Sequence, residues 1–189
     1  MLMTARNEVA IPEAALLQRF DGPGPRYTSY PTADRFVEAF DAEAFGNALA
    51  ARAAAQVPAA LSLYVHVPFC NTVCYYCACN KVITKDHGKA SEYLEMIERE
   101  ADLVAARLTG GRSLEQLHFG GGTPTFLTNE ELARLMEILT KRFPLEEKGE
   151  YSIEVDPRST PPDKVRALAK LGFNRMSCGV QDFDPEVQK

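Results

Sequence analysis

The chain has 189 residues, of which 46% are hydrophobic and 25% charged, with a formal net charge of −5. That length allows one sizeable core plus an arm, and the mildly acidic balance argues against nucleic-acid binding, which normally requires a basic stripe. No run approaches the ~18 uninterrupted apolar residues of a membrane-spanning helix, and the N-terminal stretch lacks the charged-then-apolar pattern of an export signal, so a cytoplasmic protein is expected.

In chain order, a Pro/Gly-rich arm over 24–33 precedes an alanine-rich, proline-free stretch at 43–56 that predicts a helix outside the main fold. Residues 61–67 are a short apolar run suited to a buried parallel strand. Residues 89–108 place Tyr93, Leu94, Ile97, Leu103 and Val104 near helical spacing, with Gly110 and Gly111 as the stop. A second strand is expected at 117–119. Thr128 followed by Glu131 has the form of a capping box and opens a helix running to Phe143, before Pro144. A third strand at 151–155, a helix opened by Pro161 and Pro162 and closed by Gly172, and a fourth strand at 175–180 complete the pattern. In that strand Cys178 alternates with Met176 and Val180 and reads as a buried apolar filler. Alternating strands and helices with short loops imply a parallel sheet covered by helices. The division expected is an N-terminal arm and helical extension at 1–58, then a barrel-like α/β unit at 59–189.

Directly after the first strand, Cys70, Cys74, Cys77 and Cys79 fall within ten residues. A thiolate trio spaced C-x3-C-x2-C can wrap a cubane iron–sulfur cluster and leave one iron with an open coordination position. A disulfide framework fits poorly: the total of five cysteines is odd, and a bridge between Cys77 and Cys79 would be strained. Structural zinc is the second alternative, but its knuckles usually separate two C-x2-C pairs by a longer loop. From spacing alone Cys79 remains open as a fourth thiolate.

The other chemistry-bearing residues also fall at C-terminal strand ends, where loops of α/β barrels converge on one mouth. Gly120, Gly121 and Gly122 either make a turn or let backbone approach a ligand closely. Glu154 is either a ligand-binding carboxylate or half of a salt bridge to Arg158 or Arg175. Gln181 can read a polar ligand or stabilise a turn. His66 and His118 read as satisfied core groups. Arg26 is either an exposed linker residue or a partner for a carboxylate.

Four motifs in register carry a resemblance. The loop is extended to C-x3-C-x2-C-x-C by Cys79. Upstream stands Gly24-Pro25-Arg26-Tyr27-Thr28-Ser29-Tyr30-Pro31-Thr32-Ala33, and downstream His118-Phe119-Gly120-Gly121-Gly122-Thr123-Pro124-Thr125, then Ile153-Glu154-Val155-Asp156-Pro157-Arg158 and Gly179-Val180-Gln181-Asp182-Phe183. Together they resemble radical S-adenosylmethionine (SAM) enzymes, and among these the oxygen-independent coproporphyrinogen III oxidases of haem biosynthesis. The resemblance implies an α/β fold, a partial TIM-like (βα)6 barrel of which this chain supplies about the first four strands. It implies a [4Fe–4S] cluster on Cys70, Cys74 and Cys77, with Cys79 not a ligand. SAM would chelate the fourth iron and contact Tyr64, Tyr76, Gly121, Gly122, Thr123, Glu154 and Gln181. Tyr76 stands where the family leads one to expect phenylalanine.

The implied reaction is oxidative decarboxylation of two propionates of the tetrapyrrole coproporphyrinogen III, giving protoporphyrinogen IX, with a cellular electron donor. The arm would fold over the site, with Arg26 and Tyr27 toward substrate. Nucleic-acid partners and a membrane span are not implied, and the full-length protein is expected to be a monomer. The chain reads as an N-terminal part, able to bind a cluster weakly without turnover. A related haem chaperone and a zinc-stabilised α/β interaction module are the alternatives.

Overall fold

The computed structural model describes residues 12–22, 32–54, 60–108 and 111–187. Arg26, Tyr27, most of the arm and Gly110 lie outside them. Residues up to 40 form one unit and residues from 41 onward a second. The first contains helix α1 (Ala14–Phe20), whose Leu16, Leu17 and Phe20 are exposed, and a single 3-10 turn at Ala33–Arg35.

The second unit opens with α2 (Ala42–Ala53), capped by the Asp41 carboxylate, which accepts from the N–H groups of Glu43 and Ala44. Four parallel strands follow in the order β1 (Leu61–Val67), β4 (Leu114–Gly121), β5 (Leu145–Glu154) and β6 (Arg175–Ser177). Helices α3 (Gly88–Arg107), α4 (Asn129–Thr140) and α5 (Pro162–Lys170) make the crossovers. The expected α/β architecture with a parallel sheet is therefore present. A second, two-residue ladder pairs β2 (Phe69–Cys70) with β3 (Val82–Ile83) and has no counterpart in the sequence reading.

One face of the sheet is apolar. Val65, Val67, Leu117, Phe119, Tyr151 and Ile153 pack against Leu94, Ala101, Leu132, Leu135, Met136 and Leu139 of α3 and α4. The other face is polar at each level. Tyr64, His118 and Ser152 lie side by side across β1, β4 and β5, as do Ser62, Gln116 and Glu150 one step lower. β1 is thus half-buried rather than a strand enclosed on both faces, because its even-numbered residues face this polar side.

Several bounds differ from expectation for physical reasons. β4 and β5 are longer than expected, since β5 begins in the polar run after Pro144, where backbone pairing with Leu114 outweighs composition. Helix α4 stops at Thr140, short of Phe143, and beyond it Arg142 donates from its guanidinium to the Ile138 carbonyl (2.8 Å). Its guanidinium binds Asp102 (2.6 and 2.8 Å) and Glu98 (3.3 Å) on α3 and joins the two helices. Leu103 is off the α3 stripe and 72% exposed, because the buried row runs Ala90, Leu94, Ala101, Ala105. β6 ends at Ser177, and Cys178 is exposed rather than a core filler, as are Met176 and Val180, because β6 is the edge of the sheet and no described element covers it. Among the described residues no helix is long and apolar enough to cross a membrane.

The Thr128 capping box forms as expected: the Glu131 N–H donates to Thr128 Oγ1 (3.1 Å) and the Thr128 N–H to Glu131 Oε2 (2.8 Å). Thr128→Ala is expected to cost about 1 kcal/mol in urea unfolding. A midpoint equal to wild type at unchanged m-value would contradict that role for the cap.

Candidate functional site

The cysteine loop is tied at its base. Within the ladder of β2 and β3, the Val82 N–H donates to the Pro68 carbonyl (2.8 Å) and the Thr84 N–H to Cys70 (2.9 Å), so Cys70 stands in the stem and residues 71–81 form the loop. Inside it the Cys77 N–H closes a turn onto the Cys74 carbonyl (3.1 Å). Lys81 reaches back with its ammonium to the carbonyls of Cys77 and Cys79, each at 3.3 Å. His66 Nε2 lies 2.8 Å from the Asn80 carbonyl. A carbonyl only accepts, so Nε2 carries a hydrogen toward it, while Nδ1 lies 3.0 Å from the Tyr64 hydroxyl.

The glycine strand meets this loop backbone to backbone. The Gly122 N–H donates to the Val67 carbonyl and the Thr123 N–H to the Phe69 carbonyl, both at 2.8 Å. A Cβ on Gly122 would sit 2.7 Å from the Pro68 oxygen and 2.8 Å from that of Phe69, so glycine is required by close approach. Gly121 adopts φ +110°, in the left-handed region. Thr123 then lies beside the loop, its hydroxyl donating to Cys70 Sγ at 3.5 Å.

Glu154, at the end of β5, faces the same mouth. Its Oε2 accepts the Gly121 N–H (3.2 Å) and its Oε1 lies 3.4 Å from His118 Nε2. His118 Nδ1 is 2.6 Å from the Ser152 hydroxyl, and the His118 ring stacks on Tyr64 with centroids 5.8 Å apart. Neither salt bridge proposed for Glu154 forms: Arg158 binds Asp156 (2.8 Å) and Arg175 binds Glu150 (2.6 Å). Burial pushes the Tyr64 phenol up, with the negative charges of Glu154 and Cys79 adding to the shift.

The structure therefore brings Tyr64, Gly121, Gly122, Thr123 and Glu154 together beside Cys70. Cys74 and Tyr76 are neighbours on the outer loop, where burial and then Cys74 push the Tyr76 phenol up and Arg158 approaches Cys74. Gln181 stands exposed after β6, outside the cluster in which His118 bonds Glu154 and stacks on Tyr64. His66 and His118 are satisfied, as expected, but their partners belong to the site rather than to the core. Ser152 and the Asn80 carbonyl were missed, since only strand register and loop closure bring them there.

Residues 64–189 match the radical SAM superfamily. The chain belongs to the radical SAM superfamily. Relatives include the oxygen-independent coproporphyrinogen III oxidase of Pseudomonas aeruginosa, 50% identical, with 94% of this chain and 38% of the relative covered. The enzyme of the same name from Escherichia coli K12 is 48% identical, with the same coverage of both chains. A solved structure described as coproporphyrinogen III oxidase from Escherichia coli, a radical SAM enzyme, superposes with a TM-score of 0.80 at 45% identity, covering 94% of this chain and 38% of that one. The chain thus spans well under half the length of these relatives.

The donor set fits the cluster that the superfamily implies. All the described cysteines are free, and Cys70, Cys74 and Cys77 are half-buried whereas Cys79 is exposed. Among the described residues no three His, Cys, Asp or Glu side chains are arranged around a single metal ion. A cubane instead spreads its thiolates over separate irons. The Cys79 backbone N–H, with Lys81 adding, holds the Cys77 thiol below the ordinary range, while burial and then Cys77 push Cys79 up. The thiolate is the metal ligand and the nucleophile. In the metal-free protein, Cys77 alkylation is expected to rise with pH ahead of Cys79. Site-resolved mass spectrometry across a pH series checks this, and a Cys79 profile lying at lower pH would contradict it.

Proposed function

We propose that this chain carries the cluster- and SAM-binding part of an oxygen-independent coproporphyrinogen III oxidase, acting in anaerobic haem biosynthesis in the cytoplasm. The observation that carries the reading is the C-x3-C-x2-C loop tied onto the glycine strand, in a chain 50% identical over 94% of its length to a relative of that name. The substrate is coproporphyrinogen III. Each of two propionates would lose its carboxyl group as carbon dioxide, one β-hydrogen atom to the SAM-derived fragment and one electron to a cellular acceptor, leaving a vinyl group. A cellular donor supplies the electron that activates SAM.

In this reading Cys70, Cys74 and Cys77 each hold one iron of a [4Fe–4S] cluster, and Cys79 stays outside the ligand set. When bound, the cluster and SAM supply one-electron chemistry able to remove an unactivated hydrogen atom. The chain's own residues bind and orient. The bare backbone of Gly121 and Gly122 admits SAM closely, Thr123 lines the same wall, and Glu154 accepts hydrogen bonds from its ammonium or hydroxyl donors. Tyr64 and Tyr76 supply aromatic faces, and Gln181 an amide from the loop after β6. In sequence, residues 1–58 precede the barrel segment, and within them Arg26 would pair with a substrate carboxylate and Tyr27 is assigned to substrate.

Single Cys→Ser variants test the ligand assignment. After anaerobic reconstitution, iron and sulfide per chain are expected to collapse in the variants at Cys70, Cys74 and Cys77 and to persist at Cys79. Conversion of coproporphyrinogen III by the complete protein, supplied with SAM and reductant, should fall to background in the same three. Full iron content in any of them, or collapse at Cys79, would overturn the assignment.

A further inference from the structure

His118 is a residue for which the proposed function has no use, yet it touches more of the site than any other side chain of β4. Its Nε2 lies 3.4 Å from Glu154 Oε1, its Nδ1 2.6 Å from the buried Ser152 hydroxyl, and its ring stacks on Tyr64. The three side chains converge over Gly120, where a Cβ would stand 3.0 to 3.1 Å from Tyr64, Glu154 and His118. An ionised carboxylate only accepts, so Nε2 faces it with a hydrogen. The short contact to Ser152 anchors the opposite side of the ring.

The consequence concerns orientation. Glu154 is held at both oxygens, Oε1 by His118 and Oε2 by the Gly121 N–H. Each oxygen keeps a further lone pair, so the carboxylate can present a fixed pair of acceptors to an incoming ligand instead of rotating. We infer that His118 is a positioning residue, orienting Glu154 toward SAM through a Ser152–His118–Glu154 hydrogen-bond chain. This rests on the proposed SAM site.

Two substitutions separate donor from ring. His118→Phe keeps an aromatic ring over Tyr64 and loses the donor, whereas His118→Gln keeps an N–H donor and loses the ring. The probe is S-adenosylhomocysteine, titrated calorimetrically into anaerobically reconstituted protein, with iron content and melting temperature measured alongside. At unchanged iron content, His118→Phe is expected to weaken binding about tenfold, the scale of one hydrogen bond to a charged group, and His118→Gln to restore most of it. Ser152→Ala, which frees Nδ1 without touching Nε2, should weaken binding by a smaller factor. The reverse order, with His118→Phe binding as wild type and His118→Gln impaired, would show that only the ring matters and overturn the assignment. Wild-type protein with a full cluster and no binding would overturn the SAM site along with it, so the two failures are distinguishable.

Discussion

Two backbone hydrogen bonds hold the site together: Gly122 N–H to the Val67 carbonyl and Thr123 N–H to the Phe69 carbonyl, both at 2.8 Å. They extend the pairing of β1 with β4 past the end of the sheet into the base of the cysteine loop. The approach is close enough that any side chain at Gly122 would strike the Pro68 and Phe69 oxygens, which cannot move without breaking the ladder of β2 and β3. Because the loop is fixed there, Cys70 lies beside the Thr123 hydroxyl, just past the ends of β1 and β4. The C-terminal rim of the strands is where parallel α/β architectures assemble their ligands.

The second constraint is the two-sidedness of the sheet. Its apolar face is committed to α3 and α4, and the stability of the unit lives there. Among the described residues its polar face has no such partner, and its exposed and half-buried polar groups bond to one another. Ser62 bonds Gln116, His118 bonds Ser152 and Glu154, and His66 bonds Tyr64 and the Asn80 carbonyl. These bonds fix the side chains before any ligand arrives. A site pre-organised in this way loses less freedom on binding than one assembled by the ligand.

Much of this was legible in the sequence, in proportion to how local the signal was. The cysteine spacing, the Thr128–Glu131 box and the order of strands and helices are all written within windows of a few to about twenty residues. The start of β5 was hidden, since Glu146, Glu147 and Lys148 are polar and bulge out of register between the paired Leu145 and Glu150. Cys178 was misassigned because alternation does not reveal whether a strand is central or at the edge. The partners of Glu154 were out of reach. Arg158 is four residues away yet pairs with Asp156, while His118 is 36 residues away and pairs across the register of β4 and β5.

The central claim is that the cysteine loop holds a cluster with an open iron facing the Gly121–Glu154 wall. Electron paramagnetic resonance of the anaerobically reconstituted, reduced protein, with and without SAM, tests it most directly. A reduced-cluster signal that changes when SAM is added is the result the account predicts. A cluster signal indifferent to SAM, or colourless protein carrying stoichiometric zinc, would contradict it.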